Sequence, residues 1–188
     1  EINRMLIVGT LLKRSLKKEI NLLGKAMEII NSNKIESLSY ENDNHFESSY
    51  NLINNLKKCL LNLLGKSAMH FGENIKNEQE VMMNIADMII SIYVMESTIK
   101  RCEKVYKTSQ NEILIDISKS SIYYNLSIFK YHAEECIISF MNKSDSSNNL
   151  EYIETALKFK KFNIKNINRR IADYFLNKKS YKIFNNFS

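Results

Sequence analysis

The sequence predicts an all-α protein built as a long-helix bundle, and three observations carry that prediction. The 188 residues contain no Pro and only four Gly, so residues that break helices are scarce. Apolar residues recur three and four positions apart through nearly every stretch, which is the period of a helix face and not the alternation of a strand. The stretches are joined by short polar connections, as antiparallel neighbours in a bundle are. With 44% apolar and 26% charged residues, the composition is that of an ordinary globular protein and excludes a wholly disordered chain.

The first helix shows an apolar face from its first turn, at Ile2, Met5, Leu6, Leu12 and Leu16. The stripe continues through Ile20, Leu23, Met27 and Ile30, while Lys13, Arg14, Lys17, Lys18 and Lys25 occupy the remaining surface. Gly24 is expected to break or bend this run. A basic amphipathic helix over 11–30 either covers another protein surface or lies on an anionic membrane. Residues 31–45 are polar and aperiodic, so 34–45 reads as a linker. A second helix over 46–72 turns Phe46, Tyr50, Ile53, Leu56, Leu60, Leu64 and Met69 inward, with Gly72 as its C-cap.

Asn77, three residues before Glu80, has capping-box spacing and predicts a helix over 78–107. Between Val81 and Met95 almost every residue is apolar. A helix apolar on all sides needs cover on all sides, which makes this one central. The next helix, 111–142, begins near Ser109 or Asn111 and presents Leu114, Ile117, Ile122, Leu126, Phe129, Ile137 and Phe140. Asn142 to Asn148 is a loop by composition. Helices over 149–161, with Leu150, Tyr152, Ile153 and Leu157 inward, and over 164–178, with Ile164, Ile167, Ile171, Ala172 and Phe175 inward, complete the bundle. The aromatic segment from Tyr181 to Phe184 is expected to dock back on it.

The chemistry-bearing residues assemble no familiar catalytic set. Cys59, Cys102 and Cys136 are far apart and each sits in an amphipathic run, so they read as buried reduced thiols. His45, His70 and His132 stand at no metal-ligand spacing and form no nucleophile triad. No stretch has the ~18–20 uninterrupted apolar residues of a spanning helix. The formal charge of +6 sits at the two ends of the chain, but no nucleic-acid motif accompanies it, so nucleic acid is not an expected partner.

Four segments carry a resemblance that the periodicity alone does not supply. They are Glu1-Ile2 running into a helix, Asn77-Glu78-Gln79 ahead of Ile85-Ala86-Asp87, the spacing of the long helix that follows, and Arg169-Arg170-Ile171-Ala172-Asp173 near the end. Taken in order, these resemble the C-terminal portion of the acyl-CoA dehydrogenases, with the helical extension of the very-long-chain type. Glu1-Ile2 is similar to the tail of that family's Glu-Gly-Thr-Asn-Glu/Asp-Ile motif, whose first Glu is the catalytic base and would lie just before Glu1.

The resemblance divides the chain into the terminal helix region of the catalytic domain (1–33), a linker (34–45) and the extension domain (46–188). It implies FAD as cofactor, with Glu1 and Gln79 as contacts, and no catalytic residue within these 188. For the full-length protein it implies dehydrogenation of long-chain acyl-CoA in fatty-acid β-oxidation. The partners implied are the chain's own catalytic domain and a second subunit in a homodimer, the acyl-CoA substrate and an electron-transfer flavoprotein, with 11–30 as a candidate contact to an anionic membrane. The location implied is bacterial cytoplasm, at or near the membrane surface, or the mitochondrial matrix and the adjoining inner-membrane face. The alternative reading is a stand-alone helical module for interaction, membrane-surface or assembly roles, without dehydrogenase activity.

Overall fold

The computed structural model describes residues 2–32, 44–179 and 182–184. Its order is α1 (Ile2–Leu16), α2 (Leu22–Ser32), α3 (His45–Phe71), α4 (Gln79–Ser109), α5 (Ile113–Phe140), α6 (Lys143–Ala156) and α7 (Ile164–Lys178), with 3-10 turns at Gly72–Asn77 and Lys182–Phe184. No strand occurs among the described residues. The fold is the all-α bundle of long helices that the sequence predicts.

The antiparallel pair α4 and α5 forms the spine, with α3 and α1 laid on α4 and α7 on α5. Leu52, Leu56, Ile85, Met88, Met95, Ile99, Leu114, Ile122 and Phe129 are fully buried between these helices. Val8 and Leu12 of α1 join the same core. α2 approaches α3 closely because both helices are small at the crossing: a Cβ on Gly65 would stand 2.9 Å from the Cβ of Ala26.

Several local expectations change on contact with the structure. The run over 11–30 is two helices, and the break lies at 17–21, before Gly24. Lys18 adopts a left-handed backbone with φ of 60°, the Leu23 N–H donates to Ser15 Oγ at 3.1 Å, and Gly24 falls inside the first turn of α2. The capping box at Asn77 does not form: the N-cap of α4 is Glu78 and supplies no side-chain bond. A 3-10 turn extends through Asn77 and places it outside the helix.

Asn142 to Asn148 is not a loop. Asn142 accepts the Asp145 N–H as an N-cap, and α6 starts at Lys143. Residues typical of loops are also typical of first helical turns, which is why composition misplaced this boundary. The predicted helix over 149–161 accordingly runs six residues earlier at its start and ends at Ala156.

α4 is not covered on all sides, because Tyr93 is 71% exposed and Ile90 and Val94 also face outward. It is the one described helix long and apolar enough to suit a membrane span, and half of its most apolar window is buried inside the bundle. Met69 and Ala172, expected inward, are exposed. The remaining helices hold their predicted limits closely. Gly72 terminates α3 with φ of 54°, and Asn163 caps α7 by accepting the Asn166 N–H.

α7 buries only Ile167 fully and is fastened by polar contacts instead. Arg170 makes a two-pronged ion pair with Asp116 of α5 at 2.6 and 2.7 Å, Asn168 accepts from Ser120 Oγ, and Tyr174 Oη accepts from Asn111. The segment Lys182–Phe184 returns to α4, where Arg101 donates to the Phe184 carbonyl and lies over the Phe184 ring at 5.8 Å. Tyr181 lies outside the described residues.

Candidate functional site

α3 ends and α4 begins at the same end of the bundle, and α4 opens with Gln79. Its side chain is exposed, and the first-turn N–H groups receive no bond from the side chain of Glu78. A helix N-terminus without a side-chain cap carries partial positive charge and free donors. Here Glu78 and Glu80 flank the amide, so the local charge favours a neutral hydrogen-bonding group over a phosphate. Glu1, the other residue expected to contact cofactor, lies outside the described residues.

About two turns further along α4 is a polar cluster that joins three helices. Asp87, 9% exposed, takes an ion pair from Arg4 Nε of α1 at 2.9 Å and faces His132 Nε2 of α5 at 3.5 Å. The other ring nitrogen, His132 Nδ1, is 2.8 Å from Asn84 Oδ1. His132 therefore has two partners supplied by α4. The signal in the sequence was Asn84 and Asp87, three residues apart within an otherwise apolar run, which marks one polar edge on a helix read as wholly apolar.

A second histidine lies at the opposite end of the spine. His45 Nε2 is 2.6 Å from Ser118 Oγ, and that hydroxyl donates onward to the Ile115 carbonyl, which makes Nε2 the donor to Ser118. Burial, with a smaller push from Lys119 that outweighs Asp116, lowers the His45 pKa to about 4. His45 is a neutral structural link between α3 and α5. The three cysteines are buried and free, and burial pushes their thiols up to about 12, far from a nucleophilic thiolate. Among the described residues, no group of three or more His, Cys, Asp or Glu is placed to hold a metal ion.

Near the Gln79 end, a cleft of about 520 Å³ opens between α2, α3 and the α5–α6 junction, with Lys66, His70, Phe140, Asp145 and Asn149 on its walls. Lys66 Nζ donates to Asn149 Oδ1 at 2.6 Å. Burial lowers the Lys66 pKa, partly offset by Asp145. Sequence reasoning missed Lys66 because one lysine on a helix carries no local signal. It becomes notable only when α6 covers it.

None of these groups by itself forms a catalytic centre, and the comparisons with known proteins supply the frame. The family described as "Acyl-CoA dehydrogenase, C-terminal domain" matches residues 55–154. A probable acyl-CoA dehydrogenase of Bacillus subtilis is 29% identical over 152 residues, which is 78% of this chain and 25% of that protein. The crystal structure of an acyl-CoA dehydrogenase complexed with FAD from Bacillus anthracis superposes with a TM-score of 0.87 at 28% identity, over 96% of this chain and 31% of that one. The chain thus spans between a quarter and a third of the length of these relatives. The family match covers more than half of the chain and coincides with α3 to α6, the helices that build the core: the chain belongs to the acyl-CoA dehydrogenase C-terminal domain family.

Proposed function

We propose that these residues form the C-terminal helical part of an FAD-dependent acyl-CoA dehydrogenase that acts on long acyl chains in fatty-acid β-oxidation. The observation that carries this reading is the likeness, over 96% of the chain, to a dehydrogenase described with FAD bound. FAD would supply the acceptor for the hydride leaving the β-carbon of the acyl-CoA. The part assigned to this chain is to bind and position.

Gln79 is the residue we assign to the cofactor, its carboxamide offered to a neutral polar group of the dinucleotide such as a ribose or the adenine. Glu1 is assigned the same kind of contact. Residues 1–33 are read as the last helical region of the catalytic domain, 34–45 as linker and 46–188 as the extension, with a second subunit completing a homodimer. In this reading electrons pass to an electron-transfer flavoprotein in the bacterial cytoplasm. Within residues 11–30, the exposed Leu16, Lys13, Lys17 and Lys18 are the groups we assign to an anionic membrane surface.

The test is to purify the full-length gene product, quantify flavin released on denaturation, and follow acyl-CoA-dependent reduction of an electron-transfer flavoprotein across chain lengths. Near-stoichiometric FAD and activity that peaks on long chains are expected. Gln79→Ala should weaken FAD retention about tenfold, the cost of one polar contact at ~1.4 kcal/mol. A full-length product that retains no flavin overturns the reading and favours a helical interaction or assembly module. Salt-sensitive flotation with anionic liposomes would then assign it to a membrane surface.

A further inference from the structure

The connection between α6 and α7 combines a run of exposed positive charge with an apolar groove. From Thr155 to Ala172 the sequence carries Lys158, Lys160, Lys161, Lys165, Arg169 and Arg170 and no Asp or Glu. Arg170 is occupied by Asp116, whereas the ammonium groups of Lys158, Lys160, Lys161 and Lys165 have no ion-pair or hydrogen-bond partner among the described residues. Lys158, Lys160, Lys161 and Lys165 are all exposed. The same connection forms one wall of a groove of about 330 Å³ against α5.

The groove is apolar inside and cationic at its edge. Ile122 and Leu126 of α5 and Leu157 form its floor, and Lys160 and Lys161 line its mouth. Phe159 and Phe162 meet edge to face, with centroids 6.3 Å apart and planes at 86°, and make a fixed aromatic corner. Tyr123 adds a third ring. No carboxylate lines this space. The volume lies at the low end of the ~300–1,000 Å³ of small-molecule sites, which are mostly apolar with a few placed polar groups.

We propose that this groove binds an anionic amphiphile, with an acyl or similar apolar tail on the Ile122, Leu126 and Leu157 floor and the anionic head between Lys160 and Lys161. Tail burial supplies the attraction, roughly in proportion to apolar area removed from water. The two ammonium groups supply charge-assisted bonds that select for an anion. The cleft at Lys66 carries Asp145 on its wall and lacks this one-sided charge, and the cleft at Lys18 has one lysine and no aromatic ring. A monomeric fatty anion and the lipid of an anionic bilayer share the required chemistry. The inference does not rest on the flavin reading, since the groove is built from α5 and the α6–α7 connection without Gln79.

These 188 residues contain no Trp, so Tyr123→Trp in the full-length protein places a new donor at the groove, and its signal is read as the difference from the unsubstituted protein. Dansyl-labelled undecanoate, kept below its micelle concentration, is the probe, and the energy transfer that Tyr123→Trp adds and K160E/K161E removes reports occupancy of this groove. Saturable transfer is expected, displaced by dodecyl phosphate but not by dodecyltrimethylammonium or inorganic phosphate. K160E/K161E should weaken binding at least about tenfold, as two charge-assisted contacts are lost, with an unchanged melting temperature because both residues are exposed.

Co-sedimentation with phosphatidylglycerol but not phosphatidylcholine vesicles, lost in the same variant, would assign the bilayer as the source. Probe binding without vesicle binding assigns a monomeric fatty anion. Absence of transfer, equal displacement by the cationic amphiphile, tighter displacement by a single-stranded oligonucleotide, or an unaltered affinity in K160E/K161E would overturn the proposal.

Discussion

α1 and α4 carry the same kind of apolar repeat and lie in contact with each other, yet their surroundings differ. On α4, Ile85, Met88, Met95 and Ile99 are fully buried, and the helix is covered by α1, α3 and α5. On α1, Val8 and Leu12 are buried against the core while Ile2, Leu6 and Leu16 are 78%, 58% and 75% exposed. The apolar arc of α1 is wider than the surface it meets on α4 and α2. A periodic stripe therefore reports that a helix has an inside, but the width of the stripe must be compared with the number of neighbours before burial follows.

The largest test of this contrast is a truncation in the spine. Phe129→Ala removes a fully buried ring and should cost about 3–5 kcal/mol, read as a lower urea midpoint at unchanged m-value. Loss of under 1 kcal/mol would mean that the spine is no better packed than the α1 arm.

The second test is pH. The folded His45 has a pKa of about 4 against 6.5 for the free group, so between these values the unfolded chain binds the proton first. The contribution is fully present above about pH 6.5 and is lost progressively as pH falls toward 4, up to about 3 kcal/mol. His45→Gln keeps an N–H donor for Ser118 and removes the titration. Its urea midpoint should fall less than that of the parent between pH 7 and pH 5, and parallel curves would show that His45 does not couple the α3–α5 contact to pH.

The joints between arm and spine should give intermediate effects. An added methyl at Gly65 would lie 2.8 Å from Ile30 Cδ1 and 2.9 Å from Ala26 Cβ. The isoleucine tip can rotate but the Ala26 Cβ cannot, so Gly65→Ala should push α2 off α3 for a net loss of about 1–2 kcal/mol after the gain in helix propensity. A stabilised variant would mean that α2 is loosely seated. At the other joint, an Arg4→Ala and Asp87→Ala cycle should return a coupling of about 1 kcal/mol, because Arg4 is half exposed and screened by solvent. A larger coupling would make the ion pair, and not Val8 and Leu12, the tether of α1. The smallest effect belongs to Leu6→Ser on the open face of α1, within about 0.5 kcal/mol. A loss above 1 kcal/mol would remove the contrast altogether.

Much of the fold was legible because the signals were local. Gly72 marks the end of α3 through a backbone preference that needs no partner. The start of α6 was missed because Asn142-Lys143-Ser144-Asp145 serves equally as a loop or as a first turn, and only the Asn142 cap selects helix. The candidate site was less legible. Gln79 could be placed on the first turn of α4 by its position before an apolar run, but the Asp87, His132 and Arg4 cluster draws on residues from three helices, and Lys66 acquires its setting from α6.

By itself the sequence determined that this chain is helical, roughly where each helix lies, and through its motifs the family to which it belongs. Those properties depend on hydrogen bonds and side-chain periods within a few residues of one another. Only the tertiary structure decided that the N-terminal run splits at Lys18, that one face of α1 stays open while α4 is covered by three helices and leaves Tyr93 outside, and that Lys160 and Lys161 stand at the mouth of an apolar groove. These outcomes depend on which surfaces meet, and residues as far apart as Tyr123 and Phe162 carry no information about each other until the helices between them have packed.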